Sequence, residues 1–197
     1  MKTGIIILAA GASKRMGKPK MLLPYRENNL LQHIIQQAQL IPSEGALIVT
    51  GCYDALIKQA LNNYQVKRVY NKQWKEGMAS SIVLGLQWWL NHNDTITQIL
   101  ILVSDQPFLN ADILNKLLQQ QQQTQKGIVA ATYDGIIGTP VLFSRQYFPY
   151  LLQLKGDKGA GNIVKAFPAD VATILFEAGK YDIDTPEDYA QFCLHNN

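Results

Sequence analysis

The stretch Ile5–Lys20, IIILAAGASKRMGKPK, decides how the rest of the chain is read. Ile5 to Leu8 are four apolar residues in a row, the pattern of a strand buried on both faces of a parallel sheet. Ala9, Ala10 and Gly11 follow with almost no side-chain bulk, so a ligand can approach the backbone closely there. Lys14, Arg15, Lys18 and Lys20 then place four cations within seven residues. A strand, a small-residue turn and a cluster of cations together suit a polyanion, most simply a nucleoside triphosphate. Two common phosphate loops do not fit. A P-loop needs four residues between its glycines and then Lys-Ser/Thr. Here five residues lie between Gly11 and Gly17 and Lys18 precedes Pro19, and the dinucleotide pattern G-x-G-x-x-G is absent.

The 197 residues suit one α/β domain with a substantial core, or at most two small ones. The net charge of +3 is mild and much of it sits in the first loop, which argues for a local anion site and against a nucleic-acid surface. Cys52 and Cys193 form neither a metal-ligand pattern nor a disulfide framework. His33, His92 and His195 are scattered and read as surface or packing residues. Met1-Lys2 before IIILAAGA faintly mimics a signal peptide, but the apolar run is short and cleavage would remove the first strand. No stretch approaches the ~18 apolar residues of a membrane span. A cytoplasmic location is the expectation, with no nucleic-acid or membrane partner.

Beyond the basic loop, strand and helix patterns alternate. Leu30, Leu31, Ile34 and Ile35 recur at helical spacing behind Asn28 or Asn29 as cap. Strands are expected at Ala46–Thr50 and Val66–Tyr70, with a helix from about Asp54 to Asn62 between them. This order predicts parallel pairing with right-handed crossovers, and ligands beyond the carboxyl ends of the strands. Asn71–Ser81, NKQWKEGMASS, therefore falls on the ligand edge, with Gly77, Ser80 and Ser81 where the next helix begins. Trp88 and Trp89 in that helix read as packing residues.

Ile99–Val103 is a fourth apolar strand and ends in Ser104-Asp105-Gln106-Pro107. A carboxylate just past a buried strand is well placed to hold a hard cation beside phosphates, so Asp105 is a candidate metal ligand. Asn110 caps a helix with Ile113, Leu114, Leu117 and Leu118 on its apolar face, and Gln119–Gln123 reads as its solvated end. A strand over Gly127–Thr132, a turn at Tyr133-Asp134-Gly135 and the segment Gly138-Thr139-Pro140 follow. Val171–Phe176 is another strand. Tyr181–Pro186 reads as a short strand running into a helix, with Thr185 as cap and Pro186 as first helical residue. Alternation places Asp182 and Asp184 on one face of that extended chain, and either could be a second metal carboxylate.

Several of these segments together resemble one family. LAAG-x-S-x-RMG-x-x-K, the Asn71–Ser81 region, SDQP, G-T-P-V-LF and DIDTPED resemble, in order, the signatures of MobA-like nucleotidyltransferases, with the molybdenum cofactor cytidylyltransferase group nearest. The resemblance runs from Ile5 to about Phe192. It implies a three-layer α/β/α fold of the nucleotide-diphospho-sugar transferase type, with a mostly parallel sheet. Residues 1–197 would be a single domain, about 1–110 holding the nucleotide and about 111–197 the acceptor. It implies transfer of CMP from CTP to molybdopterin, with Mg²⁺ as cofactor and pyrophosphate leaving. Lys20, Arg15 and Asp105 would be catalytic. Leu8, Ala9, Ala10, Gly11, Ser13, Arg15, Lys20, Asn71, Ser80 and Asp105 would bind nucleotide. Gly138, Thr139, Pro140 and Lys158 would bind acceptor, and Asp105, Asp182 and Asp184 would hold the metal. A molybdenum hydroxylase could receive the product.

Two positions depart from the family pattern. Ser104 stands where the family has glycine, and Gly161 stands where it has arginine in GD-x-GA-R, so Lys155, Lys158 or Lys165 would have to replace that arginine. Alternatives within the resemblance are cytidylyl transfer to a sugar phosphate or methylerythritol phosphate. A non-catalytic carrier of the molybdenum cofactor is a third.

Overall fold

The computed structural model describes residues 1–196, with side chains through Leu194; His195 has no described side chain, so the expectation for it lies outside the described residues. The chain begins with β1 (Thr3–Ala9), followed by the two-residue strands β2 (Pro24–Tyr25) and β3 (Asn28–Asn29). Then come α1 (Leu30–Gln39), β4 (Ala46–Thr50), α2 (Asp54–Ala60), β5 (Lys67–Tyr70), α3 (Met78–His92) and β6 (Gln98–Val103). The second half has α4 (Ala111–Thr124), β7 (Ile128–Tyr133), β8 (Ile136–Ser144), α5 (Phe148–Leu151), α6 (Gly161–Ala166), β9 (Val171–Leu175) and α7 (Pro186–Asn196).

Seven strands form one sheet in the order β5-β4-β1-β6-β8-β7-β9, while β2 and β3 make a separate small hairpin. β1, the all-buried strand of the opening stretch, lies near the middle, parallel to β4 on one side and β6 on the other. Only β8 runs against its neighbours. A two-residue excess on β8 at Thr139-Pro140 shifts its register against β7, between the pairs Ala130–Val141 and Ala131–Gly138.

Each face of the sheet carries its own apolar layer. Leu31, Ile34, Ile57, Leu114 and Leu117 bring α1, α2 and α4 onto Ile5, Ile7, Ile48 and Leu100. Ile82, Leu86, Trp89, Leu151 and Val164 bring α3, α5 and α6 onto Ile6, Val49, Ile99 and Phe143. β1, β4 and β6 are apolar except at their ends, at Thr3, Thr50 and Gln98, because both faces are covered. Trp89 is a packing residue, as its place in an apolar helix suggested; its indole N–H also donates to the Ile5 carbonyl at 3.1 Å. Asn29, not Asn28, caps α1, its side chain accepting from the Gln32 N–H while Gln32 reaches back to the Asn29 N–H. Asn110 caps α4 in the expected way.

One expected element is different. Tyr181–Asp184 is not a strand; a 3₁₀ turn over Glu177–Lys180 leads into an unpaired segment before α7. The alternation of Asp182, Ile183 and Asp184 mimics a strand, but instead of a ladder the segment makes one docking bond, from the Ile183 N–H to the Asp105 carbonyl at 3.1 Å. The other end reads as expected. The Thr185 hydroxyl accepts from the Asp188 N–H, and the Asp188 carboxylate accepts from the N–H groups of Asp184 and Thr185.

The small-residue turn after β1 is held from the β4 side. The Cys52 N–H donates to the Ala10 carbonyl at 3.1 Å and the Tyr53 hydroxyl to the Ala12 carbonyl at 2.9 Å. This approach needs glycine at position 51. A Cβ there would lie 2.5 Å from the Ala10 carbonyl oxygen and 2.7 Å from the Trp74 Cβ. Neither obstacle is the free end of a flexible side chain. Gly51→Ala is therefore expected to destabilise the chain by ~1–3 kcal/mol, the usual cost of overpacking. Denaturant unfolding checks this; a midpoint equal to wild type would show that the turn yields freely.

Candidate nucleotide and metal site

The carboxyl ends of β1 and β6 open onto a cleft of about 580 Å³. Leu8, Ala9, Ala10, Gly11 and Ser13 form one wall, and Lys20 and Asp105 close one end. The opposite side is built by Trp74, Lys75, Met78, Ser81 and Asp157. Gly77, at φ 101°, turns the chain into α3, and a Cβ on it would strike Gly156 and Asp157. The Ala79 N–H bonds to the Gly156 carbonyl at 3.2 Å, so the loop carrying Asp157 is fastened to the start of α3.

The dominant charge feature is a chain of ion pairs across the mouth. Lys20 Nζ donates to Asp105 Oδ2 at 2.5 Å and to Asp184 Oδ1 at 2.7 Å. Arg15 donates to the other oxygen of Asp184 at 2.6 Å. Lys20 and Asp105 side chains are each only 17% exposed, whereas Arg15 is 71% exposed. Burial works against the Lys20 charge, but Asp105 and then Asp184 outweigh it and lift the ammonium pKa above the ordinary lysine value. Burial likewise opposes ionisation of Asp184, and Lys20 and Arg15 reverse the balance, so its pKa falls below the usual carboxylate value. Both residues are thus charged across the neutral range.

Apolar contacts bring these charges together. Met16, next to Arg15, and Ile183, next to Asp184, are buried in one small cluster with Leu23, Tyr25 and Leu30. The Ser13 hydroxyl accepts from the Lys20 N–H at 3.3 Å and holds the two ends of the basic loop together.

The other expected site residues fall in different places. Asn71 is buried and its amide donates to the Ser80 and Ser81 hydroxyls, so it braces the start of α3 and does not line the cleft. Ser81 faces the cleft, while Ser80 turns to the Gln73 and Gly77 carbonyls and lines a second groove. Gly138 and Thr139 line a small adjoining cavity, Pro140 is buried beside them, and Lys158 lies on the exposed far side. Lys155 borders the second groove, and Lys165 accompanies Lys158.

Sequence reasoning missed Gln106, Tyr133 and Asp157. Buried Gln106 donates to the Thr139 and Gly179 carbonyls, both at 3.1 Å, and ties the Asp105 turn to β8 and to the segment before Asp182. Its place three residues past an apolar strand, beside the Asp105 carboxylate, is the one signal that could have marked it. Tyr133 has its phenol pKa raised by burial and by the charges of Asp182 and Asp105, and bonds to Thr139.

The three candidate metal carboxylates do not converge. Among the described residues no group of three His, Cys, Asp or Glu side chains forms a ready cation site. Asp184 shares Lys20 with Asp105, whereas Asp182 lines a separate hollow of about 370 Å³ with Phe108 and Tyr181. Even so, the residues fit a hard divalent cation. Asp105 Oδ1 is buried with no hydrogen-bond partner, the state of a ligand oxygen without its ion, and the Lys20 ammonium already stands as a cation between two carboxylates.

Asp182 has its pKa pushed up to about 7 by burial and by repulsion from Asp105, against the pull of Lys20. Because Asp182 keeps contact with solvent, the Asp105 charge is the firmer of the two causes. Removing that charge by Asp105→Asn is expected to move the Asp182 midpoint down towards the ordinary carboxylate range. NMR titration of ¹³C-labelled aspartate carboxyls reads it; a midpoint that stays near neutrality or rises would assign the shift to burial.

Comparison with known proteins bears on the same surface. The MobA-like NTP transferase domain matches residues 5–171. The chain is 29% identical over 195 residues to the purine catabolism protein PucB of Bacillus subtilis, covering 93% of this chain and 92% of that protein. It is 27% identical over 187 residues to the molybdenum cofactor cytidylyltransferase of Escherichia coli, again covering 93% and 92%. A crystal structure of a homologue, from mycobacterium sp. strain JC1, of Mycobacterium tuberculosis rv0371c superposes with a TM-score of 0.83 at 26% identity, covering 98% of this chain and 96% of that one. The relatives' names assign different roles, so likeness fixes the family and leaves the substrate open. With its opening strand and basic loop, and with Asp105 at the end of β6, inside the matched residues, the chain belongs to the MobA-like NTP transferase family of nucleotidyltransferases.

Proposed function

We propose that the chain transfers CMP from CTP to the terminal phosphate of a molybdopterin-type acceptor and releases pyrophosphate. The observation that carries the reading is Lys20, held between Asp105 and Asp184 in a cleft that Ala9, Ala10 and Gly11 line with almost no side-chain bulk. The cytidine assignment rests on the LAAG segment Leu8–Gly11, where guanylyl relatives carry LAGG, and a cytidylyltransferase stands among the relatives.

An oxygen of the acceptor phosphate attacks the α-phosphorus of CTP. The bond from that phosphorus to the bridging oxygen breaks, and pyrophosphate leaves with the electron pair. A phosphate monoester has its second pKa near ~6, so the nucleophile is already largely ionised at neutral pH and needs no general base. The chain's part is alignment and charge neutralisation. The small-residue wall seats base and ribose against backbone. Lys20, released from its carboxylates, meets the charge that grows at the phosphates, and exposed Arg15 meets the outer phosphates. Asp105, with Asp184 or Asp182, would hold a divalent ion such as Mg²⁺. That ion, when bound, neutralises phosphate charge beside the reacting phosphorus. A molybdenum hydroxylase is the natural recipient of the product. The described chain has no helix long and apolar enough to cross a membrane.

Pyrophosphate release from CTP, GTP, ATP and UTP, each with and without molybdopterin, tests the reading. CTP with acceptor should be fastest; equal rates, or a GTP preference, would contradict the cytidine assignment. Lys20→Ala should lower kcat by on the order of a hundred- to a thousandfold, the usual worth of an oxyanion-stabilising group, with a smaller change in CTP affinity by calorimetry. A variant turning over at the wild-type rate when saturated would confine Lys20 to ground-state binding. Wild type that binds the pterin but releases no pyrophosphate from any nucleotide would make the chain a carrier.

A further inference from the structure

Three serines line the nucleotide cleft: Ser13, Ser81 and Ser104. Two of them are engaged within the protein. The Ser13 hydroxyl accepts from the Lys20 N–H, and the Ser81 hydroxyl accepts from the Asn71 amide. Ser104 is only 4% exposed, yet among the described residues its hydroxyl has no hydrogen-bond partner. A hydroxyl placed so deeply is costly unless something bonds to it, so its partner belongs to what fills the cleft.

The fold itself does not ask for this hydroxyl. The φ of Ser104 lies outside the left-handed region, so alanine fits the backbone there as well as serine does. Ser104 also departs from the family pattern, which has glycine there, so the hydroxyl is an addition to the shared frame.

Its place along the cleft is set by the sheet. β1 and β6 pair in parallel as far as Leu8 and Val103, and the next residues, Ala9 and Ser104, follow at the carboxyl ends of the two strands. Ser104 therefore stands between the small residues Ala9 to Gly11 and the charged end at Asp105 and Lys20. In a nucleoside triphosphate, the group between the base and the phosphates is the ribose.

We propose that the Ser104 hydroxyl bonds to a ribose hydroxyl of the bound nucleoside triphosphate and makes the site select ribonucleotides over their deoxy counterparts. The inference rests on reading the cleft as a nucleotidyl-transfer site. A ribonucleotide and its deoxy counterpart share base and phosphates, so neither the LAAG segment nor Lys20 tells them apart. A serine hydroxyl both donates and accepts, as a sugar hydroxyl does, so the two bond in either sense. A deoxynucleotide leaves the buried serine unpaired. Sites built to bond a substrate hydroxyl reject the analogue lacking it for that reason.

The test is calorimetry with CTP, 2′-deoxy-CTP and 3′-deoxy-CTP, each with Mg²⁺ and no acceptor, on wild type, Ser104→Ala and Ser104→Gly. Wild type should bind at least one deoxy analogue on the order of tenfold more weakly than CTP. Both variants should bring that analogue to within about threefold of CTP, through weaker CTP binding. Their affinity for the analogue itself should stay at the wild-type value, which also shows that they are folded. Mn²⁺ affinity of the nucleotide-free protein, read by electron paramagnetic resonance, should be the same in wild type and Ser104→Ala. Equal affinity of wild type for all three nucleotides, or a discrimination that survives both substitutions, would overturn the proposal and leave the cleft a nucleotide site. Weaker Mn²⁺ binding by Ser104→Ala would overturn it too, by assigning the hydroxyl to the cation. Wild type that binds none of the three nucleotides would remove the transfer reading itself, and this proposal with it.

Discussion

The site depends on one shared ammonium group. Lys20 bonds to Asp105, 85 residues away in sequence, and to Asp184, 164 residues away. It thereby joins the first loop, the end of the central strand β6 and the segment before the last helix. A partly buried ion pair of this kind contributes little net stability, because desolvation offsets most of the attraction. Stranding one of its members is costly, however, so the three segments are held in a fixed relation for as long as no other ion takes a place among them. That serves two ends: Asp184 is kept ionised, and the ammonium of Lys20 holds it in register with Asp105.

The charges are positioned by apolar residues that touch no ligand. Met16 and Ile183 are buried in the same cluster, and their neighbours Arg15 and Asp184 are thereby brought to 2.6 Å. The backbone of Ile183 bonds to the Asp105 carbonyl, and Gln106 ties the following turn to Thr139 and Gly179. A polar site is thus built on a packed frame, so a substitution at Met16 or Ile183 would disturb the charge geometry without altering any charge.

Much of this was legible in the sequence, for physical reasons that also mark where legibility stops. Ile5–Leu8 of β1 and Ile99–Val103 of β6 are unbroken apolar runs because both faces are covered, and such runs stand out. The small residues and cations after β1 are consecutive, so their joint meaning needs no tertiary knowledge. The direction of β8 is different: a buried strand reads alike whether parallel or antiparallel. Tyr181–Asp184 has strand alternation without a strand, because no ladder partner is there and only Ile183 packs inward. Asn71 and Ser80 lie on the expected edge, yet which hydroxyl faces the cleft depends on helix phase, and one residue of rotation puts Ser81 there. Gln106 and Tyr133 act on partners distant in sequence, which a local pattern cannot disclose.

The central claim is that Lys20 stands where a divalent cation would be held, so that the two compete for Asp105 and Asp184. Mn²⁺ affinity of the nucleotide-free protein, read by electron paramagnetic resonance for wild type and Lys20→Met, tests this most directly. Removing the ammonium frees both carboxylates, and the account predicts that Mn²⁺ binds the variant at least about tenfold more tightly, a difference of ~1.4 kcal/mol. An unchanged or weaker affinity in Lys20→Met would contradict it.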